Sequence, residues 1–128
     1  MKYTADVAVV GGGVIGTAVA YYLSRQGADV ILLEKGELGS GTSSACDGFV
    51  ILQSKNPGVH LELGLASARI YRNLAAELEW DIEYNPCGGL IVIERPDELQ
   101  AMETFMRRQQ AIGLDVTLLS GEDARRLE

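Results

Sequence analysis

The stretch VAVVGGGVIG, residues 7–16, decides the fold of this chain. Its apolar half, residues 7–10, predicts a strand buried on both faces, and the glycines follow with no polar residue between. Gly11 permits a tight turn, Gly13 lets the backbone approach a pyrophosphate, and Gly16 lets the next helix pack against the strand. The order of strand, glycine loop and helix therefore predicts a phosphate-binding turn.

The helix after the loop is predicted from TAVAYYL, residues 17–23, and Gly27 is placed to end it with a positive φ. Such a helix points its N-terminus back at the glycines. Free backbone N–H groups and the positive end of the helix dipole then meet at the place where a diphosphate would sit.

A second buried strand, DVILLE at residues 29–34, ends in the carboxylate of Glu34, eighteen residues after Gly16. An acid at this place can accept hydrogen bonds from the hydroxyls of an adenosine ribose. A complete strand, loop, helix, strand and acid within about thirty residues is far more specific than a lone GxGxxG. The unit predicts an adenine dinucleotide site and leaves open which dinucleotide binds.

Composition excludes several classes of protein. With 128 residues, 47% of them hydrophobic, and only three prolines, the chain is predicted to be folded. The net charge of −7, without a long basic stretch, argues against nucleic-acid binding. Apolar runs are too short for a membrane span, and the N-terminus lacks the pattern of a signal peptide. We therefore expect a cytoplasmic protein.

The two cysteines, Cys46 and Cys87, lack CxxC spacing, and His60 is the only histidine, so no metal site is expected. In a reducing compartment both cysteines are expected to be free thiols. His60 is expected on a helix, partly exposed, since nothing near it in sequence would orient it as a catalytic base.

The segment after Glu34 is rich in Gly, Ser and Thr: GELGSGTSSACDGFVIL, residues 36–52. A nicotinamide-dependent enzyme would be expected to place its next crossover helix there. The loop instead offers backbone N–H groups and short donors that can close over phosphates, although an ordinary surface loop with capping residues is an alternative. The residues with this potential are Ser40, Gly41, Thr42, Ser43 and Ser44.

The order VVGGGVIGTAVAYYLSRQGADVILLEKGELGSGTSSACDGFV, residues 9–50, resembles the N-terminus of the FAD-dependent D-amino-acid oxidase superfamily, which includes glycine oxidase, sarcosine oxidase and amino-acid dehydrogenases. The resemblance implies an α/β fold, in which a Rossmann-type βαβ unit that binds FAD is followed by the start of an α+β substrate domain. On that scheme residues 1–79 form the FAD-binding segment, and residues 80–128 form the beginning of the substrate domain.

The resemblance also implies which residues contact FAD. Those at the pyrophosphate would be Gly11, Gly13, Val14, Ile15 and Gly16. Glu34 would hold the adenosine ribose, and Lys35 would flank the adenine end. Those along the diphosphate and ribityl chain would be Ser40, Gly41, Thr42 and Ser43. Gly48 and Phe49 would approach the isoalloxazine ring.

Covalent attachment of the flavin is the point at which this chain departs from some relatives. The positions that match a Trp-His pair in one such group are Ser44 and Ala45. Non-covalent FAD is therefore expected, and Cys46 is the alternative attachment point because it lies nearby in sequence.

The rest of the chain mixes helix and strand patterns. Asn56 and Pro57 predict the start of a helix that runs to about Glu79. Residues 81–85 and 90–93 are predicted to be strands.

Pro96 predicts the start of another helix, which Gly113 would end. A strand is predicted at residues 115–119, followed by a capping box between Ser120 and Asp123.

The function implied by the resemblance is oxidation of the C–N bond of an amino acid or related amine to an imine. No catalytic residue is predicted, and relatives several times longer carry the substrate-binding arginine in later portions. The chain is therefore expected to be a fragment, a split subunit or a truncated chain that needs a C-terminal half or partner subunit, with an oligomer as its working form. The alternatives are a catalytically silent nucleotide-binding subunit and an NAD-dependent dehydrogenase.

Overall fold

The computed structural model describes residues 4–127 and divides into two compact units, residues 1–48 and residues 49–128. The first unit contains the predicted βαβ motif, and the second is built mainly from helices. The predicted boundary after residue 79 concerns which ligand each part contacts, and it stays a prediction.

The first unit is a two-stranded parallel sheet with a crossover helix. Its elements in chain order are β1 Val7–Val10, α1 Val14–Arg25, β2 Val30–Leu33 and the short helix α2 Thr42–Ala45. The strands pair in parallel from Val7 opposite Val30 to Val10 opposite Leu33. Valine, isoleucine and leucine dominate both strands, as expected for a pleated and partly covered surface.

The sheet is covered on one face, whereas the sequence predicted burial on both. Helix α1 packs against β1 and β2, and alternate strand residues are half-buried. The opposite face leaves Val10 83%, Ile31 39% and Leu33 49% exposed. The prediction fails because a continuous apolar run shows only that both faces of a strand are apolar. Within this unit, α1 is the helix that covers a face of the sheet.

The end of α1 follows the prediction. Gly27 adopts a φ of +88°, and the N–H of Ala28 donates to the carbonyl of Leu23 at 3.2 Å. This is the hydrogen bond of a Schellman motif, in which glycine supplies the left-handed residue.

The second unit contains α3 Val59–Leu78, a 3₁₀ turn Pro96–Glu98, α4 Leu99–Gln110 and α5 Gly121–Arg125. Its buried side chains among the described residues are Leu61, Ala68 and Gln109. The polar member of this set, Gln109, donates to the carbonyls of Gln53 and Lys55, which lie far from it in sequence.

Helix α3 begins later than predicted, which corrects the assignment of Asn56 and Pro57 to its start. Gly58 is the N-cap residue with a φ of +120°, and its carbonyl accepts from the N–H groups of Leu61 and Glu62, each at 3.0 Å. Positive φ at Gly58 interrupts a helix that would otherwise continue from Pro57.

The three strands predicted in the second unit, residues 81–85, 90–93 and 115–119, are not strands in the part of the chain that the structure describes. A strand requires a ladder of hydrogen bonds to a neighbour. No neighbouring strand pairs with these segments among residues 4–127. Alternating apolar residues are compatible with a strand, but they do not provide the neighbouring strand that pairing requires.

The helix boundaries near the C-terminus agree with the prediction. Gly113 has a φ of +99°, and the N–H of Leu114 donates to the carbonyl of Gln109 at 3.2 Å. Ser120 caps α5 by accepting from the N–H of Asp123 at 3.1 Å. The predicted pairing of Ser120 with Asp123 is confirmed, with the Ser120 hydroxyl also donating to Asp123 Oδ2 at 2.6 Å.

No helix among residues 4–127 has both the length and the apolar character required to cross a membrane. The same residues contain no cluster of three or more His, Cys, Asp or Glu side chains able to hold a metal ion.

Candidate dinucleotide-binding site

The glycine loop begins with a residue that other amino acids fit poorly. Gly11 has a φ of +104°, and its N–H donates to the carbonyl of Leu33 at 2.8 Å, which extends the β1–β2 ladder by one bond. The chain turns sharply from the end of β1 toward α1 because this φ is accessible to glycine and strained for other residues.

Gly16 is required for a steric reason. A Cβ placed there would overlap the carbonyl oxygen of Gly11 and would contact Val9 Cγ1 at 3.5 Å. The first turn of α1 therefore lies directly against the loop and β1. The role predicted for Gly16, close helix–strand packing, is confirmed.

The N-terminus of α1 is formed around Gly13, its N-cap residue. The carbonyl of Gly13 accepts from the backbone N–H of Thr17 at 2.9 Å and from its hydroxyl at 3.0 Å. The following two side chains, Val14 and Ile15, are 59% and 78% exposed. The start of α1 is thus accessible, and its N–H groups head a helix of twelve residues with a positive dipole end.

Glu34, the residue after β2, connects the end of this strand to the glycine loop through hydrogen bonds. Its carboxylate accepts from the N–H of Gly12 at 2.7 Å and from the N–H of Gly36 at 2.9 Å. These two hydrogen bonds, that of Gly12 first, lower the pKa of Glu34 below its ordinary value, and the charge of Lys35 acts in the same direction. Glu34 is therefore a carboxylate at neutral pH, held in one orientation.

Gly12 has a role that the sequence reasoning missed. It is buried, and a Cβ there would overlap Leu38 Cδ2 and lie 3.2 Å from the Cβ and Cγ atoms of Glu34. Its carbonyl also accepts from the N–H of Gly39 at 2.9 Å. The GxGxxG pattern allows any residue at this position, and the signal for it was that the middle residue of GGG, residues 11–13, is also glycine.

The hydroxyl-rich loop contacts the start of α1 through Ser43. Ser43 Oγ accepts from the N–H of Val14 at 2.9 Å, and a Cβ added to Gly13 would lie 3.0 Å from the same oxygen. Ser43 therefore stands at the N-terminus of α1, where an anion would also be attracted.

The hydroxyl groups of Ser40 and Ser44 form hydrogen bonds to backbone carbonyls three residues earlier in the same loop. Ser40 Oγ donates to the carbonyl of Glu37 at 2.7 Å, and Ser44 Oγ donates to the carbonyl of Gly41 at 3.1 Å. Thr42 is the first residue of α2. An open depression of about 590 Å³ lies over this loop, lined by Glu37, Leu38, Gly39, Ser40, Ser43 and Ser44.

Three further predicted site residues are placed as follows. Lys35 follows Glu34 and is exposed, and Gly48 is the last residue of the first unit. Phe49 begins the second unit and is 78% exposed. Their predicted contacts with the adenine end and the isoalloxazine ring stay predictions.

Cys46 follows α2 in the hydroxyl-rich loop, whereas Cys87 and His60 belong to the second unit. Cys46 and Cys87 are free and exposed, and Cys46 Sγ donates to the carbonyl of Ser43 at 3.2 Å. His60 is exposed near the start of α3, as expected.

The segment after β2 also bears on the choice of dinucleotide. It contains a turn and the four-residue α2 before the second unit begins, and no long crossover helix follows the acid directly. This is the arrangement that the hydroxyl-rich sequence predicted. It differs from the immediate crossover helix that we expected of a nicotinamide-dependent dehydrogenase.

The residues present fit the adenosine diphosphate part of FAD. The open N-terminus of α1 suits a diphosphate, and the space at Gly11, where an added Cβ would meet no atom within 4 Å, allows close approach. Each oxygen of Glu34 uses one backbone donor, and a carboxylate oxygen has a second lone pair for a ribose hydroxyl.

Comparison with protein families gives a match over almost the whole chain. Residues 6–128 match the family DAO, described as FAD dependent oxidoreductase. The match covers both compact units.

Three individual similarities illustrate the match. The chain is 36% identical over 81 residues to glycine oxidase from Bacillus licheniformis, covering 62% of this chain. It is 29% identical over 117 residues, 91% of this chain, to the mitochondrial pyruvate dehydrogenase phosphatase regulatory subunit of Mus musculus. The crystal structure of glycine oxidase from Bacillus cereus ATCC 14579 superposes with a TM-score of 0.80 at 35% identity, over 96% of this chain.

All three relatives are much longer than this sequence. The chain spans 22% of the Bacillus licheniformis protein, 13% of the mouse protein and 34% of the Bacillus cereus chain. The similarity to the solved structure confirms the fold predicted for the N-terminal, FAD-binding part.

Proposed function

Since the chain belongs to the DAO family of FAD-dependent oxidoreductases, we propose that it is the FAD-binding part of a flavoprotein that oxidises the C–N bond of an amino acid or related amine to an imine. The observation that carries the proposal is the meeting of three features within the first unit: the glycine loop, the open N-terminus of α1 and the oriented carboxylate of Glu34. FAD, when bound, supplies the hydride acceptor for this chemistry.

The pyrophosphate is held, in this proposal, by the backbone at the start of α1. The residues involved are Gly11, Gly13, Val14, Ile15 and Gly16. The N–H of Gly11 donates to Leu33 and that of Val14 donates to Ser43 Oγ. This stretch therefore contributes the helix dipole, the remaining N–H groups at the start of α1 and the close approach that its glycines allow.

Glu34 accepts from the ribose hydroxyls of the adenosine half, and Lys35 lies beside the adenine. Because Glu34 is already fixed by the N–H groups of Gly12 and Gly36, its free lone pairs point from a rigid frame. A fixed acceptor loses less side-chain entropy on binding than a mobile one.

The hydroxyl loop forms the opposite wall. Ser43 accepts from Val14, so its own proton can be donated to a phosphate oxygen. The residues proposed along the diphosphate and ribityl chain are Ser40, Gly41, Thr42 and Ser43. Gly48 and Phe49 are proposed to lie against the isoalloxazine ring, where an exposed aromatic side chain would exclude water.

FAD is proposed to be held without a covalent bond, since Ser44 and Ala45 stand where some relatives place the attachment residues. The glycine oxidases among the relatives support the proposed substrate class, an amino acid or related amine. The catalytic residues and further sheet strands would come from a C-terminal half or a partner subunit, and we propose an oligomer on the exposed apolar face of β1 and β2. Two free cysteines support a reducing compartment, the cytoplasm.

A second candidate function is a catalytically silent, nucleotide-binding subunit. The observation that favours it is the mouse relative, which is named as a regulatory subunit and matches 91% of this chain. Both candidates require the same dinucleotide site, so turnover distinguishes them and binding does not.

The test combines binding and turnover. Apoprotein is titrated with FAD for the wild type, Glu34→Ala and the control Glu37→Ala, which removes a nearby carboxylate that does not end β2. We expect Glu34→Ala to weaken FAD more than the control does, and equal affinities would refute the ribose assignment. Reduction of a dye is then assayed with glycine, sarcosine and D- and L-amino acids.

Turnover with one of these amines supports the oxidoreductase, and FAD binding without turnover in the complete assembly supports the silent subunit. Acid precipitation separates the modes of attachment, because non-covalent FAD stays in the yellow supernatant. A pellet that keeps the flavin, with a peptide mass raised at Cys46, would show covalent attachment instead.

A further inference from the structure

The glycine loop and the segment that follows β2 are joined by a compact set of contacts around Gly12. The N–H of Gly12 donates to Glu34 Oε2 at 2.7 Å, and its carbonyl accepts from the N–H of Gly39 at 2.9 Å. Leu38 lies over the same residue, at the place where a side chain on Gly12 would stand. Both the N–H and the carbonyl of Gly12 are therefore hydrogen-bonded, and Leu38 packs against its Cα.

The carboxylate of Glu34 is the centre of this arrangement. Its second oxygen accepts from the N–H of Gly36 at 2.9 Å, so one side chain bonds a residue of the glycine loop and a residue of the turn after β2. Hydrogen bonds between N–H groups and an ionised acceptor are stronger than those to a neutral acceptor. The two segments are therefore fixed relative to each other by protein groups alone.

We propose that Gly12, Glu34 and Leu38 form a latch that sets the shape of the glycine loop before any nucleotide binds. Glu34 is then a positioning residue for the diphosphate end of the site, in addition to its proposed contact with the ribose. This inference deepens the proposed function, because it rests on the same site and assigns a further role within it.

The latch has a consequence that the ribose role alone does not have. A ligand without ribose cannot donate a ribose hydrogen bond to Glu34. It still binds to the glycine loop, whose shape depends on the bonds of Glu34. Inorganic pyrophosphate is such a ligand. If Glu34 only binds ribose, replacing it by glutamine removes a negative charge near a bound anion and leaves pyrophosphate affinity unchanged or higher.

The latch predicts the opposite sign. Glutamine retains one acceptor oxygen and presents an amide donor where Glu34 accepts from a second N–H, so one of the two bonds is lost. We expect Glu34→Gln in the full chain to weaken pyrophosphate about tenfold by calorimetric titration, the change expected for one lost hydrogen bond. Unchanged or tighter binding would overturn the latch.

A steric pair of variants tests the same proposal without touching the carboxylate. Gly12→Ala places a methyl group against Leu38 Cδ2 and is expected to weaken pyrophosphate. Adding Leu38→Ala to that variant opens the space and is expected to restore a large part of the affinity. If the double variant binds no better than Gly12→Ala, Leu38 is not part of the latch.

Hydrogen exchange on the nucleotide-free wild type gives a readout that needs no ligand. The amide hydrogens of Gly12 and Gly36 are expected to be protected, and Glu34→Gln is expected to reduce protection at one or both while the amides of α3 are unchanged. Unprotected amides in the wild type would overturn the proposal. A chain that fails to bind FAD would refute the proposed function and leave this measurement fully interpretable.

Discussion

The side-chain oxygen of Ser43 accepts a hydrogen bond from the backbone N–H of Val14 at 2.9 Å, across 29 residues of sequence. Val14 is the first residue of α1, so its N–H has no acceptor within the helix. Ser43 thus acts as a cap supplied by a distant loop. The contact holds the hydroxyl loop at the end of α1 where the proposed diphosphate binds.

The first prediction follows from this bond. Ser43→Ala is expected to lower the stability of the chain by about 1 kcal/mol, the usual effect of losing a capping side chain, and to weaken FAD. The matched control is Ser44→Ala, since the hydroxyl of Ser44 donates to the nearby carbonyl of Gly41. Urea unfolding and FAD titration of both variants measure the difference. Equal effects of the two substitutions would contradict a cap at α1.

A second prediction concerns the packing of α1 against the loop. Gly16→Ala is expected to destabilise the chain by about 1–3 kcal/mol, because its methyl group would overlap the carbonyl oxygen of Gly11, and backbone cannot rotate away as a side-chain end can. FAD affinity is expected to fall with it. Gly121→Ala, at the start of α5 in open space, is the steric control.

Chemical unfolding of the two glycine variants provides the measurement. The free energy of unfolding of Gly121→Ala is expected to stay within about 1 kcal/mol of the wild-type value, because alanine is favourable in a helix. A Gly16→Ala protein as stable as the wild type would mean that the loop shifts at little cost.

The first unit shows what local sequence can predict. A strand, a turn with positive φ at Gly11, a helix ended by Gly27 and an acid at Glu34 each depend on residues close together in sequence. Each is present in the structure where the sequence placed it. The sequence did not predict the partner contacts of Gly12 or the one-sided covering of the sheet. Both depend on how separate segments pack, which hydrophobic periodicity within one segment does not describe.

The second unit shows where the sequence reading fails. Segments 81–85 and 90–93 alternate like strands, but pairing depends on a neighbour that alternation does not identify. The buried contact of Gln109 was equally invisible, since glutamine on an amphipathic helix is usually exposed. Failures of this kind concern relationships between distant segments, whereas the correct predictions concern single turns and caps.

Gln109 provides the third prediction. Its side chain is 2% exposed, and Nε2 donates to the carbonyls of Gln53 at 2.9 Å and Lys55 at 3.0 Å. Gln109→Ala leaves two carbonyls without this donor and is expected to cost about 2 kcal/mol of stability. The control is Gln110→Ala, whose amide donates to Val116 from an exposed position. Urea unfolding of both variants measures the costs, and equal costs would show that burial of this glutamine adds nothing.

The charged variant Gln109→Glu sharpens that test. A buried carboxylate facing two carbonyl oxygens has a raised pKa, because its neutral form can donate one hydrogen bond and its charged form none. The variant is therefore expected to be most stable at acidic pH and to lose stability as pH rises through the folded pKa. Stability independent of pH, relative to the wild type, would contradict the buried contact.

The last prediction concerns the pH dependence that Glu34 gives to the wild type. The N–H groups of Gly12 and Gly36, with the nearby charge of Lys35, lower the folded pKa of Glu34 below the ordinary 4.5. A lowered folded pKa contributes stability that is present above the unfolded value and is lost as pH falls through the folded pKa.

We therefore expect Glu34→Gln to be less stable than the wild type at neutral pH and the gap to narrow as pH falls below about 4.5. The control is Glu37→Gln, which removes one charge from the same loop and leaves the contacts of Gly12 intact. Urea unfolding of the three proteins between about pH 2 and pH 7 measures the effect, across the range in which paired carboxylates titrate. If the gap for Glu34→Gln stays constant over this range, its carboxylate is not held by the two N–H groups in solution.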